Sequence, residues 1–140
     1  MKEIKFRAWI EKKMYHFEKL WLCGEYQSLC FAIKEKQKDD YCFDFDEDED
    51  KEKMIFMQVT GLKDKNNKDI YEGDIIQCLY SCSPNDKHTN KEVMEVKWNK
   101  ENCRFNWFLS YSEGKLSGAI KDIEIIGNIY ENPELLEEGE

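Results

Sequence analysis

The segment from Thr60 to Ile76, TGLKDKNNKDIYEGDII, constrains the fold most strongly because it combines two turn signals with the start of a strand. Asn66 and Asn67 lie at its centre, and asparagine adopts positive φ more readily than other non-glycine residues. The pattern therefore predicts a hairpin with a two-residue type I′ turn. In this register the facing residues are Lys65 with Lys68, Asp64 with Asp69, and Leu62 with Tyr71.

A second turn follows the hairpin at Gly73 and Asp74. Glycine adopts positive φ without steric cost, and an aspartate side chain can accept hydrogen bonds from backbone groups of the turn. The next residues, Ile75 to Tyr80, have the composition of a strand. We therefore interpret Gly73 and Asp74 as structural turn residues rather than as part of a ligand site.

Three blocks of the chain, taken in this order along the sequence, carry a family resemblance. They are IKFRAW with KKMYHF (residues 4–9 and 12–17), MQVTGLKDKNNKDIYEGDII (57–76) and IEIIGNIYENPELL (123–136). This set resembles the YopX family. The resemblance implies a small phage or prophage protein with a small β-barrel core and no established activity. One departure is Asn67, where the resemblance implies glycine.

The N-terminal third contains one clear strand pair and one ambiguous segment. Residues 4–9 alternate at period two, with Ile4, Phe6 and Ala8 on the face that we expect to be buried. Met14 to Phe17 supplies a return strand after a charged turn at residues 11–13. Residues 19–33 fit a helical stripe, but Gly24 interrupts it, so a strand pair remains an alternative. The stripe consists of Leu20, Cys23, Gln27, Cys30 and Ile33.

Further strands are predicted at residues 54–60, 93–98, 103–111 and 123–129, with a loop over 81–90 and a turn over 112–115. Asn132 and Pro133 predict one helical turn ending at Leu136. Several short strands separated by turns indicate a mainly β fold with minor α (α+β). We expect a single domain over residues 1–140, with a small SH3-like or related β-barrel core, an N-terminal strand pair and an acidic insertion.

The net charge of −9 is concentrated in two segments. Residues 34–53 carry ten acids and five bases, and residues 131–140 carry five acids and no base. We expect an acidic insertion loop over 34–53 and a disordered tail over 137–140. A calcium loop is rejected, because its sixth and twelfth positions would be Glu49 and Ile55. The insertion contains a run of acids that we consider partner-binding candidates, and they are Asp46, Glu47, Asp48, Glu49 and Asp50.

The sequence shows no membrane-spanning apolar run and no signal peptide, so we expect a location in the host bacterial cytosol. Its six cysteines should then be mostly reduced. No cofactor is expected, and the alternative is a zinc ion. A tetrahedral zinc site could be formed by Cys78, Cys82, His88 and Cys103, although no CxxC pair supports it.

No phosphate-binding glycine loop, nucleophile elbow or metalloprotease motif is present, so we expect a protein without enzymatic activity. The first functional hypothesis is a protein-interaction module that occludes a host or phage protein with a basic surface, as an anti-CRISPR inhibitor would. A homo-oligomer is compatible with it. The second hypothesis is binding of single-stranded nucleic acid, which we consider weaker because the structured blocks are nearly neutral. The aromatic residues that could stack on bases are Trp9, Trp98, Phe105, Trp107 and Tyr111.

Overall fold

The computed structural model describes residues 5–23, 28–33, 41–43, 54–80, 90–101, 103–108, 113–115 and 120–137. The described residues form strands with one short helix, which confirms the mainly β class with minor α and is consistent with a small-barrel fold. The strands are β1 (Phe6–Ile10), β2 (Lys13–Cys23), β3 (Ser28–Ile33), β4 (Tyr41–Phe43), β5 (Met54–Lys63), β6 (Asp69–Tyr71), β7 (Asp74–Tyr80), β8 (Asn90–Asn99), β9 (Arg104–Phe108), β10 (Glu113–Lys115) and β11 (Ile120–Asn128), and the helix is α1 (Glu134–Glu137).

The chain divides into two compact units, Met1–Gln58 and Val59–Glu140. In the first unit the strand order is β4-β3-β2-β1-β5, and each described pair is antiparallel. Strand β5 spans the division, because its first half pairs with β1 and its second half pairs with β6.

The hairpin between β1 and β2 has the backbone geometry of a type I′ turn. Ile10 pairs with Lys13, and the two residues between them, Glu11 and Lys12, have φ angles of 47° and 65°. Glutamate and lysine rarely adopt these angles. The strand pairing on both sides of β1 therefore fixes a turn that its own residues do not favour.

Ala8 and Ile10 form the buried centre of the first unit, and aromatic residues from β2 and β5 pack around them. The rings of Phe17 and Phe56 lie 6.0 Å apart in a tilted arrangement. Ala8 lies on the face that the period-two pattern assigned to the core. Arg7, on the opposite face, is also buried, which the alternation did not predict.

The ambiguous segment between residues 19 and 33 is a strand pair, and the helical stripe is wrong. Strand β2 continues from the β1 hairpin as far as Cys23 and pairs with β3, with Leu20 opposite Phe31. The backbone of β2 is already extended by its pairing with β1, and this tertiary pairing overrides the weak helical periodicity.

The second unit contains a five-stranded antiparallel sheet in the order β10-β9-β8-β7-β11. One face of this sheet forms the hydrophobic core, to which β6 contributes Ile70. The fully buried members from β7 and β8 alternate along each strand and are Ile76, Cys78, Met94 and Val96. The opposite face of the same strands carries most of the polar residues.

Several sequence predictions need correction at their boundaries. Glu113 to Lys115, predicted as part of a turn, forms β10 because it pairs with β9. Asn90 belongs to β8 rather than to the preceding loop. Within the predicted loop 34–53, the apolar triplet Tyr41–Phe43 forms β4 against β3. Helix α1 begins at Glu134 and includes Glu137, which was assigned to the disordered tail.

Three predicted segments lie largely outside the described residues. They are the insertion at residues 34–40 and 44–53, the loop at residues 81–89, and the tail at residues 138–140. Within the part of the chain that the structure describes, no helix is long and apolar enough to cross a membrane.

Candidate functional site

The loop between β5 and β6 spans Asp64 to Lys68, and the turn inside it has three residues, 65–67, rather than the predicted two. Asn67 N–H donates to Asp64 O over 3.0 Å, and Asp64 N–H donates to Lys68 O over 2.9 Å. Only Asn67 has a positive φ, 64°, so the loop is a type I turn followed by a left-handed residue. The type I′ prediction at Asn66 and Asn67 is therefore wrong. The left-handed position is also the one at which the family resemblance implies glycine.

The longer loop changes the register of the hairpin. Lys63, not Asp64, lies opposite Asp69, and their side chains form an ion pair of 2.7 Å. A bulge around Gly61, whose φ is 82°, separates this pair from the next one. The loop thus brings opposite charges together, whereas the predicted register set like charges face to face.

Asp64 is the centre of this loop. It is 6% exposed, and its Oδ1 accepts hydrogen bonds from the N–H groups of Asn66 (2.8 Å) and Lys68 (2.9 Å). Its Oδ2 accepts a bond of 3.3 Å from Ile125 N–H of β11. Burial raises the pKa of the Asp64 carboxyl, but the three backbone donors outweigh burial and hold the pKa below 3.8.

Lys65 attaches the same loop to β11 by two contacts. Its N–H donates to Ile123 O over 2.8 Å, and its Nζ lies 2.6 Å from Glu124 Oε2. This side-chain hydrogen bond raises the pKa of Lys65 and lowers the pKa of Glu124. Both side chains are partly exposed, so the backbone contact contributes more to the attachment than the ion pair does.

The turn at Gly73 and Asp74 joins three parts of the second unit. Gly73 has a φ of 81°; its N–H donates to Val96 O over 2.8 Å, and its carbonyl accepts from Ile129 N–H over 2.9 Å. Asp74 Oδ2 accepts from Tyr71 N–H over 2.8 Å. These are the structural roles that the sequence assigns to Gly73 and Asp74.

Among the described buried polar residues of the second unit, Thr60, Asp64, Asn106 and Asn128 were not identified from the sequence. Asn128 Oδ1 accepts the N–H groups of Tyr130 and Glu131, which caps the turn after β11. An aspartate or asparagine at the first position of a tight turn is a recognised sequence signal, so Asp64 and Asn128 could have been found. Asn106 lies within a strand and gives no such signal.

The two described members of the proposed zinc set lie in different environments. Cys78 is 2% exposed, and its Sγ lies 3.7 Å from Met94 Sδ in the core. Burial, with a smaller effect from Glu92, raises the pKa of the Cys78 thiol to about 11, which disfavours the thiolate that zinc requires. Cys103 is exposed in the turn before β9.

Cys82 and His88, the other two members, lie outside the described residues. Across the described ranges, no group of three or more histidine, cysteine, aspartate or glutamate side chains is arranged to hold a metal ion.

Among the described residues of the second unit, Trp98, near the end of β8, is an exposed aromatic residue. Trp98 is 40% exposed, and its ring meets the ring of Phe105 edge-on at a centroid distance of 4.9 Å. The two residues are direct partners in the β8–β9 register. Trp9 is half-buried in β1. The side chain of Trp107 and the whole of Tyr111 lie outside the described residues, as does the acid run from Asp46 to Asp50.

The polar groups of the hairpin loop and of the Gly73–Asp74 turn therefore stabilise turns, and Trp98 presents an exposed aromatic ring. The solved structure of protein EF1440 from Enterococcus faecalis is similar to this chain, with 29% sequence identity, a TM-score of 0.55, and coverage of 97% of this chain and 99% of that one. No curated protein matches the chain. The model of the family described as YopX protein matches residues 5–137. The chain therefore belongs to the YopX family.

Proposed function

We propose that this YopX-family chain is a phage- or prophage-encoded protein-interaction module without enzymatic activity, which acts in the bacterial cytosol by occluding a host protein. The observation that supports the proposal is the exposed ring of Trp98, which is supported from the side by Phe105. Tryptophan and arginine are enriched among the residues that dominate binding energy at protein interfaces.

The exposed part of Trp98 is large enough to contribute to affinity. With 40% of the residue accessible, complete coverage would remove about 100 Å² from water. At about 25 cal/mol per Å², this burial is worth about 2.5 kcal/mol, or a factor of about 70 in the dissociation constant. The contact with Phe105 restricts the ring before binding, which lowers the entropy lost on association.

The acid run from Asp46 to Asp50 supplies the second part of the proposal. Complementary charge raises the association rate and orients the partner more than it lowers the dissociation rate. A partner with a basic surface, such as a protein that binds nucleic acid, would be attracted by this charge. Occlusion of that basic surface would inhibit the partner, as an anti-CRISPR inhibitor does.

The test is affinity capture from a bacterial host lysate, followed by measurement of the kinetics with the purified partner. We expect Trp98→Ala to weaken binding about 30-fold or more, mainly through faster dissociation. Neutralising residues 46–50 should instead slow association. The matched control is Leu62→Ala, which removes another exposed apolar side chain of the second unit and should leave the affinity unchanged.

Equal affinities of the wild type and the Trp98→Ala variant, with both proteins folded, would refute the role of Trp98. The alternative function, stacking of single-stranded bases on Trp98, is favoured by the same exposed ring. It predicts that Trp98→Ala abolishes a preference for single-stranded over double-stranded oligonucleotides in fluorescence anisotropy. If this loss were observed and no protein partner were captured, the alternative would replace the interaction module.

A further inference from the structure

The sheet face opposite the core of the second unit carries four exposed basic residues. Lys91 and Lys97 lie on β8, Arg104 lies on β9 and Lys121 lies on β11. The whole chain has a net charge of −9, so a cluster of exposed bases on one face is not expected from composition. We name these four residues the basic face.

The strand register places the four residues on one side of the sheet. Leu79 of β7 pairs with Lys91 on one neighbouring strand and with Lys121 on the other. Direct partners in antiparallel strands point to the same face, and so do residues an even number apart along a strand. Lys97 is six residues from Lys91, and β8 has no register shift between them.

At the other end of the face, Lys97 lies opposite Asn106, and Arg104 is two residues from Asn106 on β9. Arg104 Nε donates to Asn106 Oδ1 over 3.0 Å, and Asn106 is 1% exposed. A buried acceptor on Nε fixes the orientation of the guanidinium, whose remaining N–H groups can bind an anion. Asn106 thus acts as a positioning residue for Arg104.

The neighbouring acids do not neutralise the whole face. Glu95 lies 3.0 Å from Lys97, so part of the charge of Lys97 is compensated. On β11, Glu124 contacts Lys65, and Asp122 lies close enough to raise the pKa of Lys65. These two acids therefore act mainly on the hairpin loop.

The face is open only in part. Ile75, which shares this side of the sheet, is fully buried, as is Asn106. The accessible part of the face therefore consists of two groups of bases. Lys91 and Lys121 form one group, and Lys97 and Arg104 form the other. Along β8, the six residue steps from Lys91 to Lys97 correspond to about 20 Å. Across the sheet, Lys91 and Lys121 are separated by two strand spacings, about 10 Å.

We propose that the basic face binds the phosphate backbone of nucleic acid, with Lys91, Lys121 and Arg104 as the contacting residues. Backbone binding requires positive charge spread over several phosphates and does not require stacking. Trp98 lies on the other face of β8, with Met94 and Val96, so this site is distinct from the Trp98 surface. It goes beyond the proposed interaction module and does not rest on it.

Phosphate contacts by these three residues lead to a quantitative expectation for the salt dependence of binding. The slope of log K against log salt is about −0.7 per contact for single strands and about −0.9 for duplex DNA, which gives about −2.1 and −2.7. Raising salt from 50 to 200 mM should then weaken binding about 20-fold for single strands and about 40-fold for duplex. Binding of this kind is in the micromolar range at low salt and independent of base sequence.

The experiment is fluorescence anisotropy of the full chain with labelled oligo-dT and with a duplex of mixed sequence, over a series of salt concentrations. The test variant is Lys91→Gln with Lys121→Gln, which keeps unbranched polar side chains and removes two charges. We expect its slope for single strands to fall to about −0.7. The control variant is Lys68→Gln, an exposed lysine of the hairpin loop outside the face, and its slope should match the wild type.

A second variant, Arg104→Lys, keeps the charge but cannot keep both the Asn106 contact and a bidentate contact to phosphate. It should weaken binding at every salt concentration while changing the slope little. If the lysine variant and the control behave alike, or if only Trp98→Ala abolishes binding, the proposal is overturned.

Two further results would also overturn it. The first is tight binding to vesicles with anionic lipid without any binding to oligonucleotides. The second is dimerisation of the protein that the lysine substitutions abolish, because the occupant would then be a second copy of the chain. A failure to capture a protein partner would not change the salt dependence of oligonucleotide binding. The two proposals can therefore be refuted independently.

Discussion

Replacement of Asp64 by alanine tests most directly how the hairpin loop is held together and attached to β11. The substitution removes three hydrogen bonds, from the N–H groups of Asn66, Lys68 and Ile125. Asn66 and Lys68 are exposed, so water can replace the carboxylate there and each loss should cost about 1 kcal/mol. The Ile125 bond is partly buried but long, and its loss should cost about 0.5–1 kcal/mol. The expected total is about 2–3 kcal/mol.

Asp64→Asn should have a smaller effect. Its amide can keep one oxygen toward the hairpin loop, but an NH2 group then faces Ile125 N–H, and two donors oppose each other. We expect a loss of about 1 kcal/mol, so the order of stability is wild type, Asp64→Asn, Asp64→Ala. The charge control is Asp69→Asn, which breaks an exposed ion pair and should change stability by about 0.5 kcal/mol or less.

The assay is urea denaturation followed by circular dichroism, combined with amide hydrogen exchange. The exchange of Lys68 and Ile125 N–H should accelerate in both Asp64 variants. The pKa of Asp64 is below 3.8 in the folded state, so its carboxylate stabilises the fold above pH 3.8, and this contribution is lost as the pH falls through the folded pKa. The stability difference between wild type and Asp64→Asn should therefore narrow below pH 3.8. A difference that stays constant down to pH 2.5, or an Asp64→Ala variant as stable as wild type, would refute the assigned role.

Gly73, Cys78 and Cys103 give independent tests. Gly73→Ala should destabilise the protein by about 1 kcal/mol or more, because alanine is strained at a φ of 81°; an unchanged urea midpoint would contradict this. Cys103 should react with iodoacetamide in the folded protein at pH 8, whereas buried Cys78 should react only on unfolding, as peptide mapping by mass spectrometry would show. Because the folded-state pKa of Cys78 is about 11, above the ordinary value of 9.0, its contribution to stability is present below pH 9 and should be lost as the pH rises toward 11.

The sequence predicts the strands of this chain better than its turns. The alternation around Val96 and the apolar residues of β7 identify a half-buried sheet, because the period of a strand is two wherever one face is buried. The hairpin loop was assigned one residue too few, since the two asparagines give the same local signal for a two-residue and a three-residue loop. What decides between them is the contact of Asp64 and Lys65 with β11, about sixty residues further along the chain.

The candidate binding surfaces were predicted only in part. Trp98 was identified as an aromatic strand residue, but its exposure depends on the position of the β8–β9 pair at the end of the core. The basic face was not identified, because Lys91, Arg104 and Lys121 are separated along the chain and only the register of four strands brings them together. Residues 54–130 contain nearly equal numbers of acidic and basic residues, so their composition does not show that several bases lie on one face of the sheet.

The attachment of the hairpin loop to β11 also has a consequence for solubility. β11 is the terminal strand of its sheet, and an uncovered edge of this kind can recruit the strand of another molecule and start an aggregate. In this protein Ile123 O and Ile125 N–H, two outward groups of that edge, already bind Lys65 and Asp64. The bulge between Lys121 and Glu124 interrupts the regular ladder beside them. The loop therefore occupies two hydrogen-bonding groups of the β11 edge, and we expect this to disfavour the pairing of β11 with a strand of another molecule.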